Sequence, residues 1–185
     1  TSAQVTGNGL PSTVNNLTID NSTGVSLSGS VTINGTLNLT DGELIAGSNN
    51  LSFQNSDTPI TRITGTITTY ASTSLSFGSS GNTSGAAITI PAGTFTSPPE
   101  INNLTINRTN SLTLGNQMIS LHGILLCNGP LITAGNLSLL SDAGGTALID
   151  GSGTGQITGD VTMQRYLPLG FGYKYFSSPF QSTTV

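Results

Sequence analysis

The chain has 185 residues and a net charge of −4, and only 6% of its side chains are charged, against roughly 25% in an average globular domain. Four basic residues (Arg62, Arg108, Arg165 and Lys174) are too few to track a phosphate backbone, which argues against nucleic acid and anionic membrane surfaces as partners. A single cysteine, Cys127, and a single histidine, His122, leave no internal disulfide, no thiolate cage and no multi-histidine metal site within the chain.

From the N-terminus onward, the recurring signal is an apolar–polar–apolar triplet with turn residues between copies. It runs through Leu17/Ile19, Val25/Leu27, Val31/Ile33, Leu37/Leu39 and Leu51/Phe53. It returns at Leu75/Phe77, Ile88/Ile90, Leu104/Ile106, Leu112/Leu114, Ile119/Leu121, Leu137/Leu139 and Val161/Met163. Alternation with period two predicts short strands buried on one face. No window carries a sustained helical stripe, and no apolar run reaches the roughly 20 residues of a membrane helix. Cys127, inside the apolar run ILLCNG, reads as a buried, inert thiol.

Spacing selects the architecture. Strands begin at residues 17, 25, 31, 37, 44 and 51, too close together for a sandwich with turn signals roughly every 8–12 residues. Three such strands per coil predict an all-β parallel β-helix, or β-solenoid, of about seven coils and about 35 Å over residues 5–163. A longer similarity, VNNLTID at 14–20 against INNLTIN at 101–107, relates residues 14–53 to 101–140. Read as coil stacking, it predicts that Leu17 and Leu104 point inward from the same sheet, about four coils apart, as do Leu27 and Leu114. Asparagines at matching turns of stacked coils are expected to bond to one another. Residues 55–100 are less regular, with FGSSGNTSGAA at 77–87 as a loop excursion. Composition changes again near 160–168: the solenoid domain ends at about 163, and residues 164–185 form an aromatic cap or the start of a following domain.

The chemistry-bearing residues are dispersed. His122 falls on an outward position and reads as a solvated turn residue. No nucleophile elbow accompanies it. Asp41 and Glu43 share one turn, within the separation that glycoside hydrolysis requires, but without a basic or aromatic platform beside them. Asp142, Asp150 and Asp160 lie among glycines without the spacing of a calcium loop, and read as turn residues. The threonine-rich TRITGTITTYAST suggests an array that orders water, but its alternation is broken. These residues predict neither catalysis nor a cofactor or metal.

The tail ITGDVTMQRYLPLGFGYKYFSSPF at 157–180 resembles a junction found in large secreted surface proteins of Bacteroidetes. There a G-x-V-T-x-x-R-Y-x-P core, here Gly159, Val161, Thr162, Arg165, Tyr166 and Pro168, precedes an aromatic stretch ending in S-S-P, here Ser177, Ser178 and Pro179. The upstream NNLTI, LNL and GxL coils look like the N-terminal repeats of the same proteins. The resemblance implies export by the type IX secretion system, display at the cell surface, and adhesion or scaffolding.

The expected role is therefore a non-catalytic structural or adhesive module outside the cell. Two alternatives stand beside it: a protomer of an extracellular fibre, and a fragment of a carbohydrate-active enzyme or carbohydrate-binding module. Expected partners are neighbouring domains of the same chain, identical subunits and surface glycans. Arg165, Tyr166, Phe171, Tyr173, Tyr175 and Phe176 are the residues expected to cap the C-terminal end of the stack or to mediate self-association there.

Overall fold

The computed structural model describes residues 2–55, 57–79 and 85–167. Those residues form 22 strands and no helix, wound as a parallel β-solenoid of about seven coils. The alternation dictates the winding. In Val31–Ile33, for example, Val31 and Ile33 are buried and Thr32 faces outward. The same in–out–in pattern holds in Leu104–Ile106 and Ile119–Leu121.

One sheet runs the length of the molecule. Its seven parallel strands are Thr13–Val14, Val31–Ile33, Asn50–Phe53, Ser74–Phe77, Leu104–Ile106, Ile124–Cys127 and Leu148–Ile149. Its register shows how far the chain travels in each coil. Thr13 pairs with Thr32, Thr32 with Ser52, Ser52 with Ser76, Ser76 with Thr105 and Thr105 with Leu126. The coils therefore lengthen through the middle of the stack, are longest between Ser76 and Thr105, and shorten again beyond it. Inside, identical or similar side chains stack coil on coil. The Phe53 and Phe77 rings lie 4.9 Å apart and nearly parallel, and Leu51, Leu104, Leu125 and Ile33 are completely buried.

The other two faces are built differently in the two halves. In the first coils, Leu17–Ser26 and Leu37–Gly47 each wrap around a corner and serve both faces with one bent strand. The bend uses Gly42 at φ +78°, where an added Cβ would overlap the backbone carbonyl of Asn21. Ile60–Arg62 and Thr66–Thr69 extend this sheet. In the later coils the faces are separate four-stranded sheets. One comprises Ile88–Thr89, Leu112–Thr113, Leu131–Ile132 and Ile157–Thr158; the other Glu100–Ile101, Ile119–Leu121, Leu137–Leu139 and Thr162–Met163.

The similarity between 14–53 and 101–140 does not map coil onto coil. Leu17 lies on the bent sheet, paired with Leu37, whereas Leu104 lies on the seven-stranded sheet between Leu75 and Leu125. Leu27 likewise follows the second half of a bent strand, while Leu114 follows Leu112–Thr113 on the other face. The reason is coil length. Because the coils are unequal, a fixed separation along the chain does not amount to a whole number of turns. The expected asparagine stacking does occur at one corner: Asn128 Nδ2 donates to Asn107 Oδ1 of the adjacent coil at 2.7 Å.

Candidate functional site

The outer face of the long sheet carries no charged side chain on its first six strands. Thr13, Thr32, Ser52, Ser76 and Thr105 form one column of hydroxyls, one per coil. They are held to one another and to their flanks: Ser76 Oγ donates to Ser52 Oγ at 2.8 Å, and Gln54 Nε2 donates to the same oxygen at 2.7 Å. On one side stand Ser30, Asn50, Ser74 and Asn103. Ser30 Oγ and Asn103 Oδ1 accept from the Asn50 and Ile124 backbone amides. At the sixth and seventh coils the flanking column turns aliphatic, with Ile124 46% and Leu148 58% exposed as direct cross-strand partners, while the hydroxyl column passes to Leu126 and then to Asp150.

A second feature is a break in the stack on one face, where Ile60–Arg62 and Ile88–Thr89 are consecutive but share no ladder. A cavity of about 180 Å³ opens there, lined by Pro59, Ile60, Phe77, Ile88 and Ile90 with Asp57 at its rim. Charged side chains bridge it. Arg62 donates to the Gly65 and Thr64 carbonyls on its own coil and to Ala92 on the next, at 2.9, 3.2 and 3.3 Å. Arg108, fully buried, donates to the Asn55 carbonyl at 3.2 Å and the Ala86 carbonyl at 2.8 Å. Asp57 Oδ1 accepts from the Ala86 amide at 2.9 Å. Burial lowers the Arg108 pKa from the ordinary arginine value, and the nearby Asp57 charge opposes that shift. A corner of short turns gave no sign that Arg108 would be buried.

Beside the break, Gln117 takes the place of a strand. Its Nε2 donates to the Phe95 carbonyl and its Oε1 accepts from the Phe95 amide, at 2.5 and 2.9 Å. Phe95 itself makes only a single bridge to Ile67 on the coil below.

The titratable residues singled out from sequence fall in several places. His122 Nε2 lies 3.2 Å from Glu100 Oε2, a partner that sequence separation concealed because Glu100 sits one coil below. His122, without Glu100, lines a cavity of about 230 Å³ together with Ala71, Leu140, Asp142, Gly144 and Gly145, the last three from the antiparallel hairpin Ser141–Asp142 and Gly145–Thr146 and its turn. His122 is half-buried rather than fully solvated. Asp41 accepts from Thr64 Oγ1 at 3.4 Å, and Glu43 accepts a short hydrogen bond from Thr68. Both carboxylates are thereby tied to hydroxyls of the next coil. Asp142 and Asp150 act as turn residues: Asp142 accepts from the Gly144 and Gly145 amides, and Asp150 from that of Ser152. The Ser152 hydrogen bonds hold the Asp150 carboxyl below its ordinary range. Cys127 is buried, and burial pushes its thiol up to about 11, which keeps the reactive thiolate scarce near neutral pH.

Of the residues expected to cap the stack, Arg165 and Tyr166 lie at its C-terminal end, both exposed, with the Tyr166 amide donating to Ser141 Oγ. Phe171, Tyr173, Tyr175 and Phe176 lie outside the described residues. Comparison with protein-family models, with curated proteins and with solved structures finds no match.

Proposed function

We propose that the chain is a non-catalytic structural and adhesive module, displayed outside a bacterial cell as part of a surface protein. The observation that carries this reading is the long outer face, a rigid array of uncharged hydroxyl and amide side chains repeated in register on successive coils. Parallel pairing along a core of stacked Leu, Ile and Phe fixes the spacing of that array, and a fixed array presents contacts without the entropy cost of ordering a loop. The resemblance of residues 157–180 to the surface-protein junction supports the extracellular setting and export by type IX secretion. Beads coated with the purified chain are expected to attach to cells or cell-wall material, and uncoated beads are not. Equal attachment by both would overturn the adhesive reading.

The His122–Glu100 pair favours a second reading, that of a carbohydrate-active enzyme fragment, because it places an imidazole that lines a cavity within hydrogen-bond distance of a carboxylate. The expectation is that His122→Ala and Glu100→Gln change no activity of the chain. Polysaccharide turnover by the purified protein that either substitution abolishes would establish the enzyme instead.

A further inference from the structure

We infer that the outer face of the seven-stranded sheet binds a neutral polysaccharide lying along the solenoid axis. The inference rests on the adhesive reading and names its ligand class.

Neighbouring strands in a sheet lie about 4.8 Å apart, and alternate residues on one strand about 6.6 Å apart. The column Thr13, Thr32, Ser52, Ser76 and Thr105 therefore offers a hydroxyl at each of the first five strands. Parallel columns of Ser30, Asn50, Ser74 and Asn103 on one side, and Asn34, Gln54 and Asn107 on the other, add amides that both donate and accept. Residues 12–16, 30–34, 50–54, 74–78, 103–107 and 124–128 contain no charged side chain, and the face meets a charge at Asp150 on the seventh coil. An anionic polymer would find no counter-charge there. A protein partner would find neither the aromatic nor the arginine anchors that concentrate binding energy.

The aliphatic end of the face narrows the choice further. Ile124 and Leu148 stand in the open on the column that carries Ser74 and Asn103 in earlier coils, with Leu126 beside them. A surface that passes from hydroxyls and amides to bare aliphatic groups complements a ligand with both hydroxyl edges and C–H faces. Pyranose rings in a neutral chain have both, and linked sugars repeat at an interval similar to the strand spacing. This face is also the only one among the described residues whose ladder runs unbroken past the gap between Ile60–Arg62 and Ile88–Thr89, so its register spans the whole stack.

The test is co-sedimentation of the purified chain with three insoluble neutral polysaccharides: cellulose, chitin and a β-1,3-glucan. The unmodified chain is expected to sediment with at least one of them. Ser52→Glu and Thr105→Glu are expected to weaken that binding about tenfold or more, the loss of a little over one good contact. Thr105→Ser and Thr113→Glu, the latter on a neighbouring face, should retain it, and every variant should melt within a few degrees of the parent. Binding to none of the three, or equal binding by all variants, overturns the inference. So does inhibition of ice growth that the same two glutamates abolish, which would assign the face to ordered water. Bead attachment without polysaccharide binding overturns the ligand and leaves the adhesive reading standing. Polysaccharide binding without bead attachment does the reverse.

Discussion

The N-terminal coils and the middle of the molecule show two ways of holding a solenoid together. Where coils are short, as from Thr13 to Thr32 and from Thr32 to Ser52, one corner of each is a strand bend: Leu17–Ser26 and Leu37–Gly47 turn within the ladder. Where the step lengthens, from Ser52 to Ser76 and then from Ser76 to Thr105, more chain separates successive rungs of the long sheet. The ladder on one face then fails between Ile60–Arg62 and Ile88–Thr89. Backbone carbonyls and amides near the break still need partners, and side chains supply them. Arg62, Arg108 and Asp57 all act there, in a chain whose charged residues amount to only 6%. Repetition holds the regular coils, whereas particular side chains hold the irregular ones.

The contrast can be broken most severely in the regular half. Leu37 is wholly buried, paired with Leu17 and Ile60, and Leu37→Asp is expected to cost about 4 kcal/mol or more by placing an unpaired carboxylate in the core. Denaturant unfolding would show it, and a loss below about 1 kcal/mol would contradict the alternation on which the fold rests.

The irregular half should yield next at Arg108. Arg108→Leu leaves the Asn55 and Ala86 carbonyls without the guanidinium and is expected to cost about 3 kcal/mol. Hydrogen exchange is expected to quicken first at residues 57–62 and 86–90. A uniform rise over all coils would mean that Arg108 supports the whole stack rather than the break.

A smaller effect is expected at Gln117. Gln117→Leu keeps the bulk but removes both hydrogen bonds to the Phe95 backbone, at a cost of about 1–2 kcal/mol. Gln117→Glu should recover only the half supplied by the acceptor oxygen. If the leucine variant were as stable as the parent, the side chain would not be replacing a strand. The smallest expected effect is Thr32→Asp on the outer column, under about 1 kcal/mol, in contrast to Leu37→Asp one strand away.

Much of this was legible in the residues. The triplets located Leu39, Leu51, Phe53, Leu75, Phe77, Leu104 and Ile106, all of them buried, because period two and burial on one face are the same statement for a strand. Tight spacing then required a winding chain. The similarity between 14–53 and 101–140 misled, since turn-rich coils of unequal length repeat their motifs without repeating their faces. Glu100 was not legible as the partner of His122, because their contact depends on which coil lies above which.

The sequence by itself thus determined that the chain is all-β, that its strands are short and that one side of each is buried. These follow from side-chain alternation within a few residues. Only the tertiary structure decided the coil lengths, the single face among the described residues with unbroken register, and the positions where Arg62, Arg108 and Gln117 replace missing ladder bonds. Those depend on how much chain lies between paired positions of successive coils, and so on contacts between positions far apart in the chain, such as Arg62 with Ala92 and Arg108 with Asn55.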